Sequence, residues 1–129
     1  MFLGYFRTFR DRFGTRLPAL IPQVYLHYDP KTVRELGGNR RYPRRRMDFL
    51  MLLRNDARIM IEMDGKHHYA DDDGKASPER YAGMVSADRD LRLRGYEVYR
   101  FGGKEMCDKD AAATIQSFFE RLFSLHGVR

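Results

Sequence analysis

Two apolar runs joined by a turn decide how this chain folds: Met47-Asp48-Phe49-Leu50-Met51-Leu52-Leu53 and Ile59-Met60-Ile61-Glu62-Met63-Asp64-Gly65. Each run is nearly continuous in apolar residues and too short for a typical core helix, which is the pattern of a buried strand. Arg54-Asn55-Asp56-Ala57 between them is turn chemistry. The short connection makes the pair an antiparallel hairpin. With the turn around 55–57, residue 48 should lie near residue 64, or a little beyond it, across the ladder.

Toward the C-terminus, residues 70–78 form a polar loop that closes on Ser77-Pro78-Glu79. A hydroxyl cap, a ring suited to the first helical position and an early acid together signal a helix start. Tyr81, Met84, Val85, Asp88 and Leu91 follow at helical spacing, and Gly95 is a natural stop. Tyr96-Glu97-Val98-Tyr99-Arg100-Phe101 alternates as a strand. Reached through a helix, it should lie parallel to 59–64 with a right-handed crossover. Gly102-Gly103 turns the chain, and Asp108 or Asp110 caps a last helix that turns Ile115, Phe118, Phe119, Leu122 and Phe123 to a core.

Toward the N-terminus, Phe2, Leu3, Phe6, Phe9 and Phe13 recur at helical spacing with Arg7, Arg10 and Arg12 between them, an amphipathic first helix. Pro18 and Pro22 break the chain. Val24, Leu26 and Tyr28 then suggest a short strand or extended segment ending at Asp29-Pro30, and 31–36 a helical turn or two. The result is an α/β fold, a small mixed β-sheet flanked by helices in the order α-β-β-α-β-α. It is organised as one domain over 1–129: a basic N-terminal helix and arm (1–46), a core (47–106) and a C-terminal helix (107–129).

The 129 residues and 15.3 kDa fit one domain, and 43% hydrophobic residues exclude global disorder. No apolar run approaches the roughly 20 residues of a membrane helix. The first residues lack the pattern of a secretory signal. The single cysteine, Cys107, excludes a disulfide framework and a zinc site built on several cysteines. The expected compartment is the cytoplasm, with no membrane partner. The net charge of +6 is uneven: residues 1–46 carry eleven Lys+Arg and three Asp+Glu, whereas 47–129 carry thirteen and fifteen. The basic excess peaks at Arg40-Arg41-Tyr42-Pro43-Arg44-Arg45-Arg46, immediately before Asp48. That density suits phosphate contacts, so Arg40, Arg41, Arg44, Arg45 and Arg46 are candidate nucleic-acid-binding residues.

The two central strands also carry acids where apolar residues would be expected. Glu62 and Asp64 are two apart and share a strand face, and Asp48 converges on them across the hairpin. Three clustered carboxylates repel one another unless a cation or protons neutralise them. An oxygen-only set suits a hard cation, Mg²⁺ or Mn²⁺. Lys66, His67 and His68 follow directly. An ammonium there can stabilise charge on an attacked phosphate, and one of the two imidazoles can move a proton. Together they make a set for metal-assisted phosphodiester hydrolysis. Against this, Asp48 taken alone suits a salt bridge, Asp64-Gly65 an ordinary turn, and Lys66 and Asp71-Asp72-Asp73 solvated positions.

Asp48, the hairpin, Glu62-x-Asp64-Gly65-x-x-His68-Tyr69, then Asp88-Arg89 and Gly95-Tyr96-x-Val98-x-Arg100-Phe101 resemble the PD-(D/E)XK nuclease superfamily. The resemblance covers about residues 46–106 and lies nearest the restriction-endonuclease-like branch related to very-short-patch repair endonucleases. It implies a mixed sheet flanked by helices and Mg²⁺-dependent cleavage of phosphodiester bonds. Asp48 matches the first acid, Glu62 the second, and His68 the histidine of that branch. The usual lysine position holds Asp64 instead. Either Asp64 becomes a further metal ligand, which the His68 spacing favours, or Asp64-Gly65-Lys66 is itself the D-x-K. Arg89 matches a position that often faces the site, and Glu35 is a candidate extra acid, more simply a surface one.

The expected function is thus a metal-dependent endonuclease acting on DNA, with Asp48, Glu62, Asp64, Lys66 and His68 in the site. An RNA-cleaving effector and a catalytically inactive nucleic-acid-binding module are the alternatives. The short chain also suggests a homodimer, or an effector paired with a larger recognition or activator protein. The resemblance alone suggests phage defence or repair.

Overall fold

A computed structural model describes residues 1–25, 46–54, 56–65, 70 and 73–129. Two of its strands are the two apolar runs. β2 (Arg46–Leu52) and β3 (Arg58–Asp64) pair antiparallel, with Phe49 opposite Ile61 and Met51 opposite Ile59. The Leu53 N–H donates to the Ala57 carbonyl at 2.9 Å, and Asp56 takes a left-handed φ of 59°. That is the geometry of a tight hairpin loop closing on a left-handed residue. The turn is one residue earlier than the sequence suggests. Carried one step past its last pair, Phe49–Ile61, this register points Asp48 toward Glu62 rather than Asp64.

β4 (Tyr96–Gly102) pairs with β3 in parallel, Glu62 beside Arg100 and Asp64 beside Gly102. The crossover between them is α2 (Pro78–Leu93), capped by the Ser77 hydroxyl, which accepts from the Arg80 N–H. Gly95 ends the turn after α2 at φ +84°, where a Cβ would stand 2.8 Å from the Arg58 guanidinium. β1 (Leu20–Tyr25) pairs antiparallel with β2 and completes the order β1-β2-β3-β4. Here the expectation needs correcting. Pro22 does not break the chain before the strand but lies inside it, opposite Phe49. β1 is at the end of the order, where a missing N–H is tolerated. The proposed continuation through Leu26 and Tyr28, and the turns at 31–36, lie outside the described residues.

α1 (Phe2–Phe13) and α4 (Ala111–Leu125) cover one face of the sheet and α2 the other; a single short turn, α3 (Gly103–Met106), leads from β4 toward α4. The mixed α/β architecture follows the expected layout with β1 added. The α1/α4 face is aromatic: Tyr5, Phe9 and Phe13 meet Phe119 and Phe123 over Ile59, Ile61 and Met51. Ring centroids of Tyr5 and Phe119 are 4.5 Å apart, and those of Phe9 and Phe123 are 5.4 Å apart. The first helix turns Tyr5 inward, where its hydroxyl donates to the Pro18 carbonyl at 2.6 Å, and leaves Leu3 outside. On the other face, Met47, Met60, Leu91 and Val98 form a smaller cluster. Tyr81 and Val85 of α2 are exposed, so the inward side of this helix is narrower than its apolar spacing suggests.

Candidate functional site

Strand alternation sends Ile59 and Ile61 to the aromatic face, and Met60, Glu62 and Asp64 to the α2 face. Both Glu62 and Asp64 lie at the end of β3 where the small cluster runs out. Glu62 is 8% exposed and is the one buried charged side chain among the described residues. Burial of a carboxylate at that depth costs free energy unless it is compensated.

Asp48 arrives by a local break in β2. Met47 packs with the α2-side cluster, whereas Phe49 packs with the aromatic one, so the strand changes face at Asp48. The adjacent strand bends at the same level: Pro22 pairs with Phe49 and Val24 with Met47, and Gln23 between them has φ +54°. A positive φ at a residue other than glycine costs backbone free energy and is held only by its surroundings. The Asp48 carboxylate, through Oδ2, accepts from the Met63 N–H at 2.9 Å. It supplies the acceptor that the next rung of the β2–β3 ladder would otherwise provide. Asp48 therefore lies just past the last β2–β3 pair, bonded to the residue that follows Glu62.

Asp64 has a different neighbour from the one expected. Its Oδ1 accepts from Arg100 Nη1 at 2.6 Å. The Arg100 guanidinium is gripped from the other side by Asp88 of α2, with Nε on Oδ2 at 2.8 Å and Nη2 on Oδ1 at 2.6 Å. The hydrogen bonds to Asp88 and the charges of both carboxylates push the Arg100 pKa up, against the opposing effect of burial. Asp88 and Arg100 are the site residues that sequence reasoning missed. A signal was there: Asp88 shares the inward side of α2 with Met84 and Leu91, where an acid needs a partner.

Arg89, expected to face the site, is exposed on α2 with its Nη2 3.4 Å from Ser86 Oγ. It borders an open groove of about 550 Å³ with Val85, Asp88, Arg92 and Leu93. Arg46 is exposed at the start of β2, opposite Tyr25. Arg40, Arg41, Arg44, Arg45, Lys66, His67 and His68 lie outside the described residues, as do Glu35, Tyr42, Asp71 and Asp72.

The donors of Asp48, Glu62 and Asp64 are all carboxylate oxygens, which fit a hard divalent cation in type. Among the described residues, no three His, Cys, Asp or Glu side chains stand grouped as a metal site. Asp48 has one oxygen on the Met63 amide and Asp64 one on Arg100. Also among the described residues, no helix is long and apolar enough to cross a membrane. No protein-family model, curated protein or solved structure matches the chain.

Proposed function

We propose that this chain is a metal-dependent endonuclease that hydrolyses phosphodiester bonds in DNA. The observation that carries the reading is the buried Glu62 where the β2–β3 pairing ends, with Asp48 bonded to the adjacent Met63 N–H and the ion-paired Asp64 two residues on. An apolar pair would stabilise this end of the sheet at lower cost, so acids there favour a role in chemistry. Asp48, Glu62 and Asp64 would hold Mg²⁺ or Mn²⁺ through their oxygens. A divalent cation, when bound, polarises a phosphate and acidifies water.

The protein's own groups do the remaining work. The Met63 amide orients Asp48, and Arg100 orients Asp64. The arginine run Arg40–Arg46 ends two residues before Asp48, roughly 7 Å along a strand, so a phosphate backbone held by it passes the acids. Lys66 and His68 follow β3 directly in sequence. In this reading the Lys66 ammonium offsets charge developing on the phosphate, and the His68 imidazole moves a proton to or from water or the leaving oxygen. Arg89 would touch a flanking phosphate.

The test is to incubate plasmid DNA, single-stranded DNA and RNA separately with the protein in Mg²⁺, Mn²⁺ or EDTA. DNA cleavage that needs the cation and is abolished in Glu62→Ala is the expected result. A Glu62→Ala variant cutting at the wild-type rate would overturn the reading. So would salt-sensitive binding without cleavage in either metal, and cleavage confined to RNA would replace DNA as the substrate.

A further inference from the structure

Arg100 commits three N–H groups to two carboxylates from two different elements. Nε and Nη2 form a fork on Asp88 of α2, leaving Nη1 aimed at Asp64 at the end of β3. A bidentate guanidinium–carboxylate pair fixes a plane as well as a distance, so the third bond has a set direction. The three side chains are only 13–18% exposed, which keeps water from loosening the arrangement. The backbone of Asp64 is fixed independently. Gly103 lies so close that a Cβ there would be 3.0 Å from the Asp64 carbonyl oxygen. Asp64 is thus held at both its main chain and its carboxylate, two residues beyond Glu62, the last buried position of β3.

Three charges enclosed in this way are a poor means of gaining stability, because desolvation opposes their attraction and apolar residues of like volume often do as well. What the arrangement provides is placement. We infer that Asp88 and Arg100 form a positioning pair that fixes the Asp64 carboxylate beside Glu62 for a divalent cation. The inference deepens the metal-dependent reading and rests on it. Neither Asp88 nor Arg100 touches the cation or the reacting phosphate; both act through Asp64. The rival is a purely structural strut that pins α2 to the sheet.

Thermal unfolding of the whole protein across a Mg²⁺ titration, without nucleic acid, separates the two. Asp88→Asn removes the charge of the fork, and Arg100→Lys keeps the charge but loses the plane. Each should raise the Mg²⁺ concentration for half-maximal thermal shift, and for half-maximal cleavage, by about tenfold, a loss typical of partners that orient metal ligands. DNA affinity in EDTA, read by fluorescence anisotropy, should stay at the wild-type value. Asp64→Asn leaves the Asp88–Arg100 fork intact and should shift the midpoint at least as far. A lower melting temperature with an unmoved or lowered Mg²⁺ midpoint in Asp88→Asn overturns the inference and leaves the nuclease reading standing, whereas an unmoved midpoint in Asp64→Asn overturns it and removes Asp64 from the cation's ligands. A wild-type protein that neither responds to Mg²⁺ nor cleaves overturns both.

Discussion

The two faces of the same four-stranded sheet are built on opposite plans. On the α1/α4 face, twelve of the described residues are buried in one cluster dominated by aromatic rings. On the α2 face, four of the described residues are buried in a small cluster, and beyond it the sheet carries Glu62, Asp64 and Arg100 with Asp88 above them. β3 supplies both plans through its alternation: Ile59 and Ile61 one way, Met60, Glu62 and Asp64 the other. One face can therefore carry costly polar groups because the other holds the fold together.

Paired truncations can break that comparison. Phe119→Ala should cost about 3–5 kcal/mol in urea unfolding, because Phe119 sits fully buried among Tyr5, Phe9, Phe118 and Phe123. Leu91→Ala on the α2 face should cost about 2 kcal/mol, the low end for a buried leucine, since its cluster is small. If Leu91→Ala were the more damaging, the aromatic face would not be the dominant support.

A smaller effect sharpens the same contrast through pH. Burial pushes the Tyr5 hydroxyl pKa well above its ordinary value, so the folded state favours the neutral phenol. Its contribution is complete below about pH 10, where the unfolded group ionises, and is lost as pH rises through the folded value. Tyr5→Phe should cost about 1 kcal/mol at neutral pH, through its lost bond to Pro18. It should also flatten the fall in stability above about pH 10, measured by urea melts at successive pH values. An unchanged alkaline fall would show that other groups govern it.

Least affected of all should be Ser77→Ala, about 0.5 kcal/mol through loss of the exposed 3.3 Å cap on Arg80 N–H. It acts on an exposed helix start away from both clusters, so Mg²⁺-dependent cleavage should keep its wild-type rate. A drop in cleavage at unchanged melting temperature would instead tie the entry of α2 to the site.

Much of the fold was legible because it rests on local patterns. The hairpin followed from two short apolar runs, α2 from Ser77-Pro78, and the parallel β4 from the handedness of a helical crossover. β1 was misplaced because Pro22 is a breaker by local rules and is tolerated at the end of a sheet. Tyr5 went unread as core since its hydroxyl finds Pro18 thirteen residues away. In the candidate site, Glu62 was legible as a charge inside an apolar strand. The Asp88–Arg100–Asp64 bridge was not, because it joins residues 12 and 36 apart.

By itself the sequence determined the hairpin, the crossover, the aromatic core helices and the presence of acids in the central strands. Periodicity and turn chemistry act over a few residues and leave their mark in any window that contains them. Only the tertiary structure decided which charge each acid meets. It shifted the hairpin register by one residue and gave Asp48 to the Met63 N–H, and it gave Asp64 to a guanidinium steadied by another helix. Register and long-range pairing are set by packing two layers onto one sheet, and no local window of sequence contains both partners.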